Sequence, residues 1–194
     1  MKPHIKKSIK FSVMIAVITF VLAAIFSVIS SSILGKVTWM VGLIIVLIIV
    51  LIGVVFDMLG IASTAAQESP LHAMAAEKIP GAKEAVIIIR HADKFASFCN
   101  DVIGDISGIV SGTATAIVVL QIAQLTGGSE TGSVQVVLNV LLTSLVAALT
   151  VGGKAIGKTF AIHKSTRIIF LTGKIVFLIE NKLKIRVLPH DKKK

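Results

Sequence analysis

Residues 98–125, FCNDVIGDISGIVSGTATAIVVLQIAQL, decide the fold. Apart from Asp101 and Asp105 the stretch carries no charge, and it exceeds the roughly 20 residues that a membrane-spanning helix requires. The two acids are four residues apart, so a helix stacks them on one face. Ionisable groups inside a span usually face a bundle interior, a partner charge or an ion path, which makes these two the first candidate functional residues. Counted from Ala96 at about 1.5 Å per residue, Asp101 lies about 8 Å and Asp105 about 14 Å into the span. A plainer alternative puts both acids at a wet inner boundary, capping a helix broken around Gly104 and Gly108. Gly104, Gly108 and Gly112 recur every four residues, a small-residue stripe that permits close helix contact within a bundle or across a dimer.

Composition sets the class. The chain has 194 residues, 55% hydrophobic and 15% charged, with a mean hydropathy of +0.93, whereas a soluble domain is about 25% charged. Four apolar runs suit spanning: Phe11 to Leu34, Val37 to Phe56, Ile106 to Gln124 with its acidic lead-in, and Val134 to Val151. The expected fold is an all-α integral membrane protein with four transmembrane helices. The first run, about 24 residues, is too long for a signal-peptide core of roughly 7–15, so it reads as a retained anchor. Cys99, the only cysteine, makes no internal disulfide.

Basic residues stay on the cytoplasmic side of a membrane. With four spans, all but Lys36 of the 20 Lys and Arg residues fall on one side, so both termini are predicted to be cytoplasmic, in the cell membrane. The formal charge of +10 then reflects topology and anionic lipid. Exposed aromatics interleaved with bases, the pattern of a nucleic-acid platform, are absent from the sequence, so no nucleic-acid partner is expected.

Between the second and third spans, the sequence predicts a cytoplasmic helical elbow over residues 69–96. Ser69 before Pro70 reads as an N-cap, and Ile79, Pro80 and Gly81 read as a break before a second helix. That second helix gathers Ala85, Ile88, Ile89 and Ala92 opposite Lys83, Glu84, Arg90 and Lys94, with Ile87 the exception, a pattern suited to a membrane surface. His72 and His91 are too far apart in sequence for a local metal motif and read as surface histidines. The last segment, residues 163–194, is a basic cytoplasmic or interfacial tail. Its apolar positions fit neither period cleanly: an amphipathic helix up to about Glu180 is preferred, a strand pair turning at Thr172 and Gly173 is the rival, and Asp191 to Lys194 should fray.

Gly152 to Thr159, GGKAIGKT, satisfies the G-x-x-x-x-G-K-[ST] phosphate-loop pattern. That mechanism needs a strand, a loop of backbone amides and a parallel sheet with a downstream acidic ligand. The apolar run before the motif is already assigned to the fourth span, so a packing role for its glycines is the expected reading and no nucleotide-binding residue is assigned.

From about Val54 to Ala161 the chain resembles the transmembrane domain of the CNNM/CorC (cyclin-M, CorB) family of magnesium transport proteins. The resemblance rests on GIASTAA at Gly60 to Ala66, on Gly81 to Ala85, on Asp93 to Phe95, on the polar stretch from Asn100 to Asp105, and on GKAIGKTFA at Gly153 to Ala161. It implies a three-helix module over residues 37–162, preceded by an extra helix in residues 1–36. It also implies transport of a divalent cation (Mg2+ or Co2+), with Mg2+ as the only cofactor and a homodimer formed through the spanning helices. The paired CBS domains and CorC-type C-terminal domain of the family are not in this sequence.

One departure bears on the ion. Where the family keeps a glutamate near the end of its last span this chain has Lys154, and where it keeps a proline this chain has Gly157. A lysine has three donors and no acceptor and cannot ligate Mg2+. Either Lys154 pairs with Asp101 or Asp105 in the manner of an ion, or it snorkels to the interface. In the second case Asn100, Asp101, Asp105, Ser63 and Ser107 still offer oxygens to a cation; the metal-site candidates are Asn100, Asp101, Asp105 and Ser63. The expected function is divalent cation transport with an altered site. The alternative is a non-transporting membrane scaffold or regulatory subunit with an intramembrane Asp–Lys salt bridge. No enzyme constellation is present in the sequence: Cys99 has no neighbouring base.

Overall fold

The structure, a computed structural model, describes residues 3–125 and 133–183. Every regular element among these residues is helical: α1 (Pro3–Leu34), α2 (Trp39–Ala65), α3 (Glu68–Ala76), α4 (Ala82–Arg90), α5 (Ala92–Ser97), a π-helical segment (Phe98–Gly104), α6 (Asp105–Leu125), α7 (Ser133–His163) and α8 (Ser165–Leu183). Four stretches are long and apolar enough to cross a membrane: Ile9–Leu34, Trp39–Ala65, Ala92–Leu125 and Gln135–His163. Helices suit such sequences because they satisfy every interior N–H and C=O within the segment. The expected second outer loop, residues 126–132, and the end of the tail fall outside the described residues.

Two helices run past their expected ends. α2 continues from Phe56 through Asp57 to Ala65, and α7 continues from Val151 through Lys154 to His163. The apolar runs end at Phe56, just before Asp57, and at Val151, three residues before Lys154. A charge ends an apolar run, but it does not end a helix, as Lys158 within α7 also shows.

The chain divides into two compact units. One comprises Met1–Val54 with Asp101–Gly153. Its core joins Leu34 of α1, Val46 and Val50 of α2, Ala114 and Val118 of α6 and Val146 of α7. A second cluster, Val102, Ile106 and Val110, packs on Ile15, Leu22 and Ala23 of α1 and Ile49 of α2. α1 and α7 cover little of themselves: Phe20 is 75% exposed and Val140 58%, faces suited to lipid. The end of α1 is closed by a distant side chain. Gln121 of α6 donates from Nε2 to the carbonyls of Leu34 (2.8 Å) and Val37 (3.0 Å), the kind of acceptor that a helix C-terminus leaves without an intrahelical partner.

The other unit comprises Val55–Asn100 with Lys154–Lys194. Its core joins Ala62 of α2, Leu71 of α3, Ala85, Val86 and Ile88 of α4, Ala161 of α7 and Ile169 of α8. The face of α4 that suggested a membrane surface is covered by protein instead, with Ala82 and Ala85 fully buried and Ile88 1% exposed. α3 starts at Glu68 behind an N-cap at Gln67, two residues earlier than the Ser69–Pro70 signal suggested, and no side chain caps it. Its end is a Schellman motif: Ile79 N–H bonds the Met74 carbonyl and Lys78 N–H the Ala75 carbonyl (both 3.1 Å), with Lys78 in the left-handed region at φ 58°. The tail is a helix over Ser165–Leu183, which removes the strand-pair alternative. Ser165 Oγ donates to the Ala65 carbonyl (3.2 Å), again meeting an orphan acceptor at a helix end.

Gly81 packs closely against the backbone of α8. It is left-handed (φ 88°), and a Cβ there would meet the backbone N and Cα of Lys174 at 2.6 and 2.5 Å. Gly81→Ala is therefore expected to destabilise the protein by about 1–3 kcal/mol. Lys78→Gly, which relieves a left-handed lysine, is expected to stabilise it by up to about 1 kcal/mol. Thermal unfolding of the purified protein in detergent, followed by helical circular dichroism, should show opposite shifts in Tm.

Candidate functional site

Lys154, the first lysine along α7, finds its partner on α2. Lys154 Nζ lies 3.6 Å from Asp57 Oδ1, with the two side chains 26% and 16% exposed. Both positions sit about 12–14 Å before the C-terminal ends of their helices. The partner is not Asp101 or Asp105, which the sequence suggests, but Asp57, which directly follows a long apolar run and reads in the sequence as that run's end. The ammonium supplies the opposite charge that Asp57 requires, so neither group enters the apolar region alone.

Asp101 lies within the π-helical segment and Asp105 opens α6, and both side chains are exposed. Gly108 and Gly112 on the same helix have nothing within 4 Å of a built Cβ. Of the three stripe glycines, Gly108 and Gly112 therefore face outward while Gly104 is buried, and Val110, Ala114 and Val118 of α6 are in the core. The hydroxyls of α6 spend their protons on the helix itself: Ser107 on Ile103 O (2.7 Å), Ser111 on Gly108 O (2.9 Å) and Thr115 on Ser111 O (2.7 Å).

Asn100 and Ser63 each meet Gly60. The Asn100 side chain lies directly over Gly60, where any Cβ would collide with its Oδ1, and Ser63 Oγ donates to the Gly60 carbonyl at 2.7 Å. Asn100 Oδ1 is buried and has no hydrogen-bond donor, an uncommon and costly state for an amide oxygen. π-Helical turns recur at functional sites, and this one carries Asn100. These two neutral oxygens fall short of what Mg2+ requires, an octahedral oxygen shell that usually includes a carboxylate. Among the described residues no group of three or more His, Cys, Asp and Glu side chains is arranged to hold a metal ion.

The remaining motifs are absorbed by the helices. Gly152 to Thr159 is continuous α-helix, so the amides that a phosphate loop would offer are engaged along α7. His72 lies 3.6 Å from Glu68 on the exposed side of α3, and His91 Nδ1 bonds the Ile87 carbonyl at 3.1 Å. Cys99 is buried and unpaired. An open hollow of about 510 Å3 is lined by Ile156, Thr159, Phe160 and His163 on one face of α7, and it holds no charged side chain beyond the histidine, whose Nδ1 bonds Thr159 O at 2.8 Å.

No family model, no curated protein and no solved structure matches this chain.

The fit of Asn100 over Gly60 is open to test. Gly60→Ala is expected to lower stability by about 1–3 kcal/mol, and Asn100→Ala in the same chain should recover most of that loss. Unfolding of the two single variants and the double variant forms a double-mutant cycle; additive losses would show that the two residues do not touch.

Proposed function

We propose that this chain is a multi-pass protein of the cytoplasmic membrane, in the mould of the CNNM/CorC transmembrane module, that acts as a non-transporting scaffold or regulatory subunit. The observation that carries this reading is the Asp57–Lys154 pair. A tethered ammonium balances the acid as a bound cation would, but it cannot leave, so the pair holds α2 and α7 together and conducts nothing. Several features agree with it. Four helices have the length and apolarity to span, and all the Lys and Arg residues except Lys36 lie on the side assigned to the cytoplasm. On that topology α3 to α5 form a cytoplasmic elbow. The open face of α6, with Gly108 and Gly112, suits close contact with a second copy in a homodimer. The role is one of binding and support rather than catalysis.

A second reading, divalent cation transport through an altered site, draws on the undonated Asn100 Oδ1 beside Gly60 and Ser63. It lacks a carboxylate at that place, and no transport step is derived from it.

Magnesium flux in proteoliposomes separates the two. The wild type is expected to match protein-free liposomes. A saturable flux in the wild type that disappears in Asn100→Ala would replace the scaffold reading with the transport reading.

A further inference from the structure

α8 is amphipathic in an unusual sense, since both of its faces carry apolar residues. Ser165, Ile169, Thr172 and Gly173 are buried, and Gly173 meets the Gly81 carbonyl and Ala85 of α4. The other face holds Leu171, Ile175 and Leu178, at 50, 57 and 59% exposure. These follow at i, i+4 and i+7 and so form one stripe. Arg167, Lys174 and Lys182 are exposed on the same side. Glu180, the one acid of the helix, projects to the opposite side by helical spacing.

We infer that this outer face of α8 is a docking surface for a bilayer rich in anionic lipid, and the inference rests on the multi-pass reading above. Three features select the occupant. α8 begins at Ser165, two residues after the end of a helix long and apolar enough to span, so a membrane surface is at hand. The leucine and isoleucine stripe supplies the apolar contact of an interfacial helix, while the Arg and Lys stems lie along it and carry their charges to the headgroups. The face bears cations and no acid. A second copy presenting the same face would set like charges together, whereas phosphate-bearing headgroups are complementary. The face thus adds an anionic-lipid requirement to a protein already held by its spans, and would make the α3–α4–α8 unit responsive to lipid charge.

The test uses the full chain carrying Leu178→Cys, reconstituted in nanodiscs of phosphatidylcholine alone or mixed with phosphatidylglycerol, and labelled with a water-soluble maleimide. Cys99 is 2% exposed and stays unreactive. Labelling of position 178 is expected to be at least about fivefold slower in the anionic discs, the factor expected from even one base near a charged surface. Replacing Arg167, Lys174 and Lys182 by Gln should abolish the difference. Equal rates in the two lipids, or slowing that the Gln variant retains, overturn the inference. Leu47→Cys, on the apolar outer face of α2, separates the two levels. If it labels as fast as an exposed thiol in water, the multi-pass reading itself fails and the lipid assignment falls with it.

Discussion

In helices this apolar, each polar group has to find its partner inside the protein, and that constraint governs the structure. Water is the default partner of an orphan carbonyl, hydroxyl or charge; a lipid-facing helix lacks it. The chain answers with its own side chains. Gln121 closes the end of α1, Ser165 serves Ala65, and the hydroxyls of Ser107, Ser111 and Thr115 turn back on α6. The Asp57–Lys154 pair is the same solution applied to full charges. Its energetic weight lies less in the attraction than in the cost of leaving either ion alone.

Function follows from where the rule is met and where it is not. It is met at Asp57 and Lys154, where an ion-like role is filled by a residue that stays on the chain. It is not met at Asn100, whose buried oxygen lies over Gly60, nor at the buried Ser30 Oγ, Gln121 Oε1 and Gln135 Oε1, while Asp101 and Asp105 are exposed on the surface of the chain. On the reading proposed above, the lysine set against Asp57 suits a membrane component that organises partners, and the exposed Gly108 and Gly112 of α6 and the basic outer face of α8 are its proposed contact surfaces.

The helices were legible in the sequence and their ends were not. Uninterrupted runs such as Trp39 to Phe56 leave few alternatives to a spanning helix, and the four stretches in the structure correspond to the four runs. The ends differ for a physical reason: Asp57 and Lys154 end apolar runs, but a charged residue does not end a helix, and both helices continue past them with the two charges paired. No local pattern predicts that pairing, because the two residues are far apart in the chain. α8 fitted neither period because it buries one apolar face on protein and exposes another, so the usual contrast between faces is missing. The elbow's internal break was visible in Ile79, Pro80 and Gly81, while α3 began without the side-chain cap that a sequence signal relies on. Of the candidate site, Asn100 and Ser63 each meet Gly60, a residue that carries no chemical signal of its own in the sequence.

The account stands on the Asp57–Lys154 contact, and charge reversal tests it most directly. Thermal unfolding would be measured for Asp57→Lys, for Lys154→Asp and for the two together in one chain. The account predicts that each single reversal, which sets like charges side by side, lowers stability by at least about 2 kcal/mol, and that the double reversal recovers most of the loss. Single variants as stable as the wild type, or a double variant that loses the sum of both, would contradict it.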